Sequence, residues 1–243
     1  MKFNKSSNPI FNSKGFEDAV YSRTDSDVMT VNGTITKTVI LTLLVLASAS
    51  YTWVNQNPIL MLVGIIGGLI AALITSFRPQ SAGITAPIYA LLEGMALGGI
   101  SYFFEAQFGG IVFQAVTSTI GVLFMMLFLY RSGIIKVTQR FKMGVVAATG
   151  GIALMYLINM VMGFFGASFL SLGNTSMLMI GINVVIVGVA ALNLVLDFDF
   201  IDRAAAQRAP KYMEWYGAFG LMVTLVWLYL ELLKLLSRLQ SRD

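Results

Sequence analysis

Seven apolar runs, each close to the ~20 residues that an α-helix needs to cross ~30 Å of hydrocarbon, set the first limit on what this chain can become. They lie at about residues 36–54, 58–77, 86–104, 110–130, 144–165, 176–197 and 212–236 of a 243-residue sequence. Charged residues make up 12% of it, against ~25% in an ordinary soluble domain, and the mean hydropathy is +0.78. The expected fold is an all-α integral membrane protein, a seven-helix transmembrane bundle. No connector is long enough to fold alone, so a single transmembrane domain is expected over 35–238, with a polar arm at 1–34 and a short tail at 239–243.

Composition then removes whole classes of chemistry. The chain has no Cys and no His. That excludes thiol nucleophiles, disulfides, imidazole bases and zinc sites of the Cys/His type. An intramembrane serine protease of the rhomboid type needs a His, and the Gly-x-Gly-Asp motif of intramembrane aspartyl proteases is missing, so no enzyme and no cofactor are expected. A proton switch would have to use carboxylates, Lys or Tyr.

The net charge of +4 does not point to nucleic acid, because the basic residues sit in connectors and tails. Lys and Arg number five up to Lys37, one in the second connector (Arg78), four in the fourth (Arg131, Lys136, Arg140, Lys142) and three in the sixth (Arg203, Arg208, Lys211). The first, third and fifth connectors have none, which places the amino terminus in the cytoplasm. Lys234, Arg238 and Arg242 in the tail break this pattern: either their signal is overruled or the last segment does not fully cross. The first thirty residues are polar and mixed in charge, so the first span is expected to act as the insertion signal. Gly64 and Gly68, like Gly94 and Gly98, are four apart and allow close helix approach.

The acids of the last quarter stand out, because a carboxylate at the centre of a membrane helix costs roughly 2.5–3.5 kcal/mol on insertion scales. Asp197 and Asp199 are turned about 200° from each other on a helix, whereas Asp199 and Asp202 share a face. All three either cap the sixth span and pair with Arg203 or Lys211, or serve function. Glu231 lies among Leu and Tyr, with Lys234 three residues on. A last helix starting near Lys211 puts Glu231 about 30 Å along it, near the far surface; one starting near Leu221 puts it near the midplane. Glu93 in the third span either bonds across helices or lines a cavity. Arg78 either snorkels at the interface or is a counter-charge for an acid. Glu214, beside Trp215 and Tyr216, reads as interface, and Asn159, Asn183 and Asn193 as interhelical hydrogen-bonders.

At these same residues the chain resembles the Bax inhibitor family, specifically its bacterial YccA-like members. The resemblance rests on the seven spans after a polar arm, on YALLEGMALG from Tyr89 to Gly98, on the aspartates ending the sixth span and on LYLELLKLL from Leu228 to Leu236. It implies a bundle whose last helix is central, surrounded by the other six. It also implies a pH-sensitive calcium leak in which acids on the sixth and seventh spans share a proton. Glu231 matches the seventh-span acid, and Asp199 or Asp197 the sixth, with Asp199 preferred; Asp199 and Glu231 would then hold calcium transiently. Glu93 and Arg78 are candidate pathway or latch residues, the latter standing at the end of the second span. Two carboxylates a few ångströms apart in low dielectric cannot both ionise cheaply and titrate as a unit.

The leading expectation is a pH-sensitive, calcium-permeable leak channel of the bacterial inner membrane, working with the lipid bilayer, calcium and protons. The alternatives are a regulatory protein binding a membrane protease or other membrane complex through its polar arm, and a proton-coupled secondary transporter.

Overall fold

The computed structural model describes residues 28–166 and 175–242. Seven long helices follow one another: α1 Val31–Asn55, α2 Pro58–Phe77, α3 Ala82–Gln107, α4 Ile111–Arg131, α5 Gln139–Phe164, α6 Met177–Ala206 and α7 Met213–Gln240. Each is long and apolar enough to cross a membrane, and the chain is a multi-pass membrane protein.

Local chemistry explains the helix ends. The side chains of Thr30, Asn57, Thr138 and Ser176 accept hydrogen bonds from backbone N–H groups in the first turns of α1, α2, α5 and α6, and Pro58 opens α2 where its missing N–H costs nothing. Glu105, near the end of α3, reaches across the turn and accepts from Gly110 N at 2.6 Å and Val112 N at 3.0 Å, so one helix caps the next.

Several helices run past the apolar stretch that announces them. α3 starts at Ala82, and Pro87 in its second turn forfeits a single hydrogen bond, to the Gly83 carbonyl. α6 continues to Ala206, so Asp197, Asp199 and Asp202 lie within the helix and do not cap it. Val31–Thr34, expected in the arm, form the first turn of α1. Just before it, Met29 N donates to Ala209 O at 2.7 Å and Val28 bridges Pro210, which ties the end of the arm to the α6–α7 connector. The rest of the arm, 1–27, lies outside the described residues, as does Asp243.

α7 is the inner helix, the most buried of the seven, whereas α5 is the most exposed. It packs along α1, α3, α4 and α6. The expected ring of six is uneven: α2 packs chiefly on α3, and α5 chiefly on α6, reaching α7 through Tyr156. Tyr89 of α3 meets Phe219 edge-on, and Ile111 and Ala115 of α4 close on Leu233. Gly64 and Gly68 press against α3, and Gly94 and Gly98 against Val45, Ser48 and Ala49 of α1, so the small residues do bring backbones together.

α7 is a full 28 residues, about 42 Å long, and runs antiparallel to α6, since Gly217 lies by Ile201 and Glu231 by Asn183. The last segment therefore spans the bundle, and Lys234, Arg238 and Arg242 lie at the end opposite Lys37. Basic residues gather at the Lys37 end, where Lys142 of α5 and Arg203, in the last turn of α6, pair with Asp199 and where Lys211 meets Glu214 of α7.

A methyl group on Gly98 would run into the Ala49 carbonyl, whereas one on Gly121 meets nothing within 4 Å. Gly98→Ala should therefore lose about 1–3 kcal/mol of stability and Gly121→Ala none, read as unfolding midpoints in detergent.

Candidate functional site

On α6, Asn183, Asn193 and Asp197 fall within an arc of about 80°. That face turns toward α5 and α7 and forms a polar seam. Asn193 Nδ2 donates to Thr149 Oγ1 of α5 at 2.8 Å and to its own Val189 carbonyl at 2.9 Å. Asp197 lies beside Thr224 of α7, and its Oδ2 is buried with no hydrogen-bond partner among the described residues.

Nearer the other end, Glu231 is 1% exposed and is held from three helices. Its Oε1 accepts from Tyr156 Oη at 2.7 Å and from Lys234 Nζ at 2.9 Å, and its Oε2 accepts from Asn183 Nδ2 at 3.2 Å. A buried carboxylate needs this kind of satisfaction. Because α7 begins at Met213, Glu231 lies about 27 Å along it, toward the far end of the span and not at its middle. The intrahelical pair with Lys234 expected from the i+3 spacing forms, but in a buried setting and not at a wet surface. Between the Thr149 and Tyr156 levels lies a cleft of about 220 Å³ lined by Thr149, Ile152, Ala153, Tyr156 and Trp227.

The expected sharing of a proton between Asp199 and Glu231 does not form. Asp199 faces away from the seam, with Lys142 Nζ at 2.7 Å and Arg203 Nε at 2.8 Å. Asp197, nearest the last helix, sits at Thr224, seven residues or about 10 Å along α7 from Glu231, and Asp199 lies farther still. The reason is register. The antiparallel pairing of α6 and α7 brings an amide, Asn183, to Glu231, and Lys234, not a proton shared with a second acid, stands against its charge. Asp202, on the Asp199 side, accepts from Tyr130 Oη at 3.0 Å and lies 3.8 Å from Arg131.

The two other candidates stand apart from the seam. Glu93 lies at the α2–α3 contact, its Oε2 against Gly68, with no hydrogen bond or ion pair among the described residues. Arg78 is exposed just beyond α2 and meets no carboxylate among the described residues, so the counter-charge reading finds no support there.

Glu214 is the residue that sequence reasoning misplaced. Read as interfacial, its side chain is 0% exposed. Lys37 Nζ lies 2.8 Å and Lys211 Nζ 3.0 Å from its oxygens, and Thr30 donates to it from both N (3.0 Å) and Oγ1 (2.9 Å). Gly33 is required there, because a Cβ would overlap the carboxylate. A first-turn acid at a helix N-terminus with a Lys three residues before it was the available signal. For Thr149, Tyr156 and Thr224 there was none, since each acquires its role from a neighbouring helix.

A family model described as Bax inhibitor 1 like matches residues 8–241. No curated protein and no solved structure matches the chain.

Removing the Glu214 carboxylate leaves two lysines and a backbone N–H without their acceptor. Glu214→Ala should destabilise the protein by roughly 3 kcal/mol, the low end for breaking a buried pair because both lysines reach solvent, as checked by denaturant unfolding in mixed micelles.

Proposed function

This chain belongs to the Bax inhibitor 1 like family, and on that premise we propose that it is a pH-responsive, calcium-permeable leak protein of the bacterial inner membrane, shut in the conformation described above. The observation that carries the reading is the polar seam: Glu231 with Tyr156 and Asn183, Asn193 with Thr149, and Asp197 with Thr224 follow one another along the α5–α6–α7 contact. Polar groups inside membrane helices that face the bundle mark ion or proton paths. Calcium, which takes six to eight oxygen ligands with many donor types, suits such a line once water enters it.

The path is shut in two ways. Glu231 is neutralised by Lys234, and Ile152, Ala153 and Trp227 make the cleft between the two polar levels apolar, a constriction that gates by excluding water. Opening is assigned to α5, the helix held least firmly, since Val145 is its one residue buried in the bundle. Ionised Asp197 attracts cations and its protonated form does not, so flux falls on acidification. Asp199 takes no part in conduction. It ties Lys142 of α5 to α6 and limits how far α5 can move.

Calcium uptake into liposomes carrying the purified protein tests this from acid to weakly alkaline pH. Wild type should leak more as pH rises; Glu231→Gln and Asp197→Asn should each reduce the leak by about tenfold, and Asp197→Asn should flatten its pH profile. Asp199→Asn should raise the leak without flattening the profile. A leak no greater than that of empty liposomes at every pH would overturn the reading.

A further inference from the structure

Glu231 is surrounded by the groups that a hard cation would choose. Its own carboxylate, the Tyr156 hydroxyl and the Asn183 amide contribute oxygens from α7, α5 and α6. Asn183 is 2% exposed, and its Oδ1 is buried with no hydrogen-bond partner among the described residues, an acceptor left over after its amide nitrogen has bonded Glu231. Into this set reaches one ammonium. Lys234 Nζ is 2.9 Å from Glu231 Oε1, 3.5 Å from Tyr156 Oη and 4.9 Å from the centroid of the Tyr156 ring, whose face also attracts a cation.

We propose that Lys234 is a tethered counter-cation, occupying a cation site made by Glu231, Tyr156 and Asn183, and that it determines how readily a free hard cation such as calcium enters there. This inference rests on the leak reading for its physiological role but not for its chemistry.

The geometry supplies both occupancy and a way to lose it. Lys234 stands three residues after Glu231 on the same helix face, so its stem returns the ammonium to the carboxylate whenever it leaves. Its side chain is 30% exposed, which gives it a route outward. The ammonium of Lys234 bonds Glu231 and Tyr156 and does not reach Asn183 Oδ1, an oxygen that a multiply coordinated ion at this place would use. Arg238, buried one turn farther along α7, acts on both Tyr156 and Glu231 and adds positive field against an incoming cation. The apolar cleft borders the site at Tyr156 and sets Trp227 nearby.

Terbium(III) is the probe, a hard cation whose emission is sensitised by close Tyr and Trp side chains, titrated into the full-length protein in detergent. Lys234→Gln should bind it about tenfold more tightly than wild type, with Lys234→Arg remaining at the wild-type level because the charge is kept. Lys234→Met, which keeps the apolar packing of the stem, should show the same gain and guards against misfolding of the glutamine variant. The gain should vanish in the Lys234→Gln/Glu231→Gln double variant. Equal binding by wild type and both uncharged variants, or a gain that survives the loss of Glu231, overturns the proposal. Calcium flux of the same variants in liposomes separates the two readings. A terbium gain with no flux in any variant retains the site and overturns the leak; a wild-type leak with no terbium gain retains the leak and overturns the site.

Discussion

A carboxylate taken out of water must be met by donors or cations, and the innermost helix of this bundle carries two that are almost wholly buried, one near each end. Glu214 gathers Thr30, Lys37 and Lys211; Glu231 gathers Tyr156, Asn183 and Lys234. These two demands fix where α7 stands along the bundle axis, because apolar contacts between Leu, Val and Ala side chains tolerate small axial shifts far better than ion pairs do. Through them the central helix is joined to α1 at one end and to α5 and α6 at the other.

Seven spans were legible because hydropathy reports directly on solvent. The helix ends were less so: α6 continues through Asp197, Asp199 and Asp202 to Ala206, polar sequence that composition assigns to a cap but that a helix leaving hydrocarbon can accommodate. That Glu231 needs a partner was readable from its apolar neighbours. Which partner it takes was not. Periodicity gives the direction in which a side chain leaves its own helix, and Asn183, Asn193 and Asp197 could be put on one face that way. The level at which that face meets the next helix depends on tertiary register, and register separates Asp199 from Glu231 and gives Asn183 to the acid. Glu214 shows the opposite case, in which aromatic neighbours suggested an interface while four polar contacts enclose the side chain.

Packing divides the bundle unequally. The glycine contacts of α1, α2 and α3 bring backbones together and leave little room for adjustment, so that part behaves as a rigid frame for α7. α5 has the reverse character. Val145 is its one buried residue, and its polar links run through side chains: Thr149 to Asn193, Tyr156 to Glu231 and Lys142 to Asp199. A helix attached by a few directional bonds can change partners at a small number of discrete positions, whereas one packed by continuous surface cannot.

The contact between Thr30 and Glu214 spans 184 positions of sequence, which makes it an event in time as well as in space. A ribosome adding about 5–20 residues each second needs roughly 10–40 s to travel that distance. The first helix thus enters the membrane long before the acid that will receive its cap has been made. During that interval Lys37 and the Thr30 amide face water or lipid headgroups, and the inner helix follows the six helices described before it. The enclosure of Glu214 by Thr30 and Lys37 therefore waits for α7.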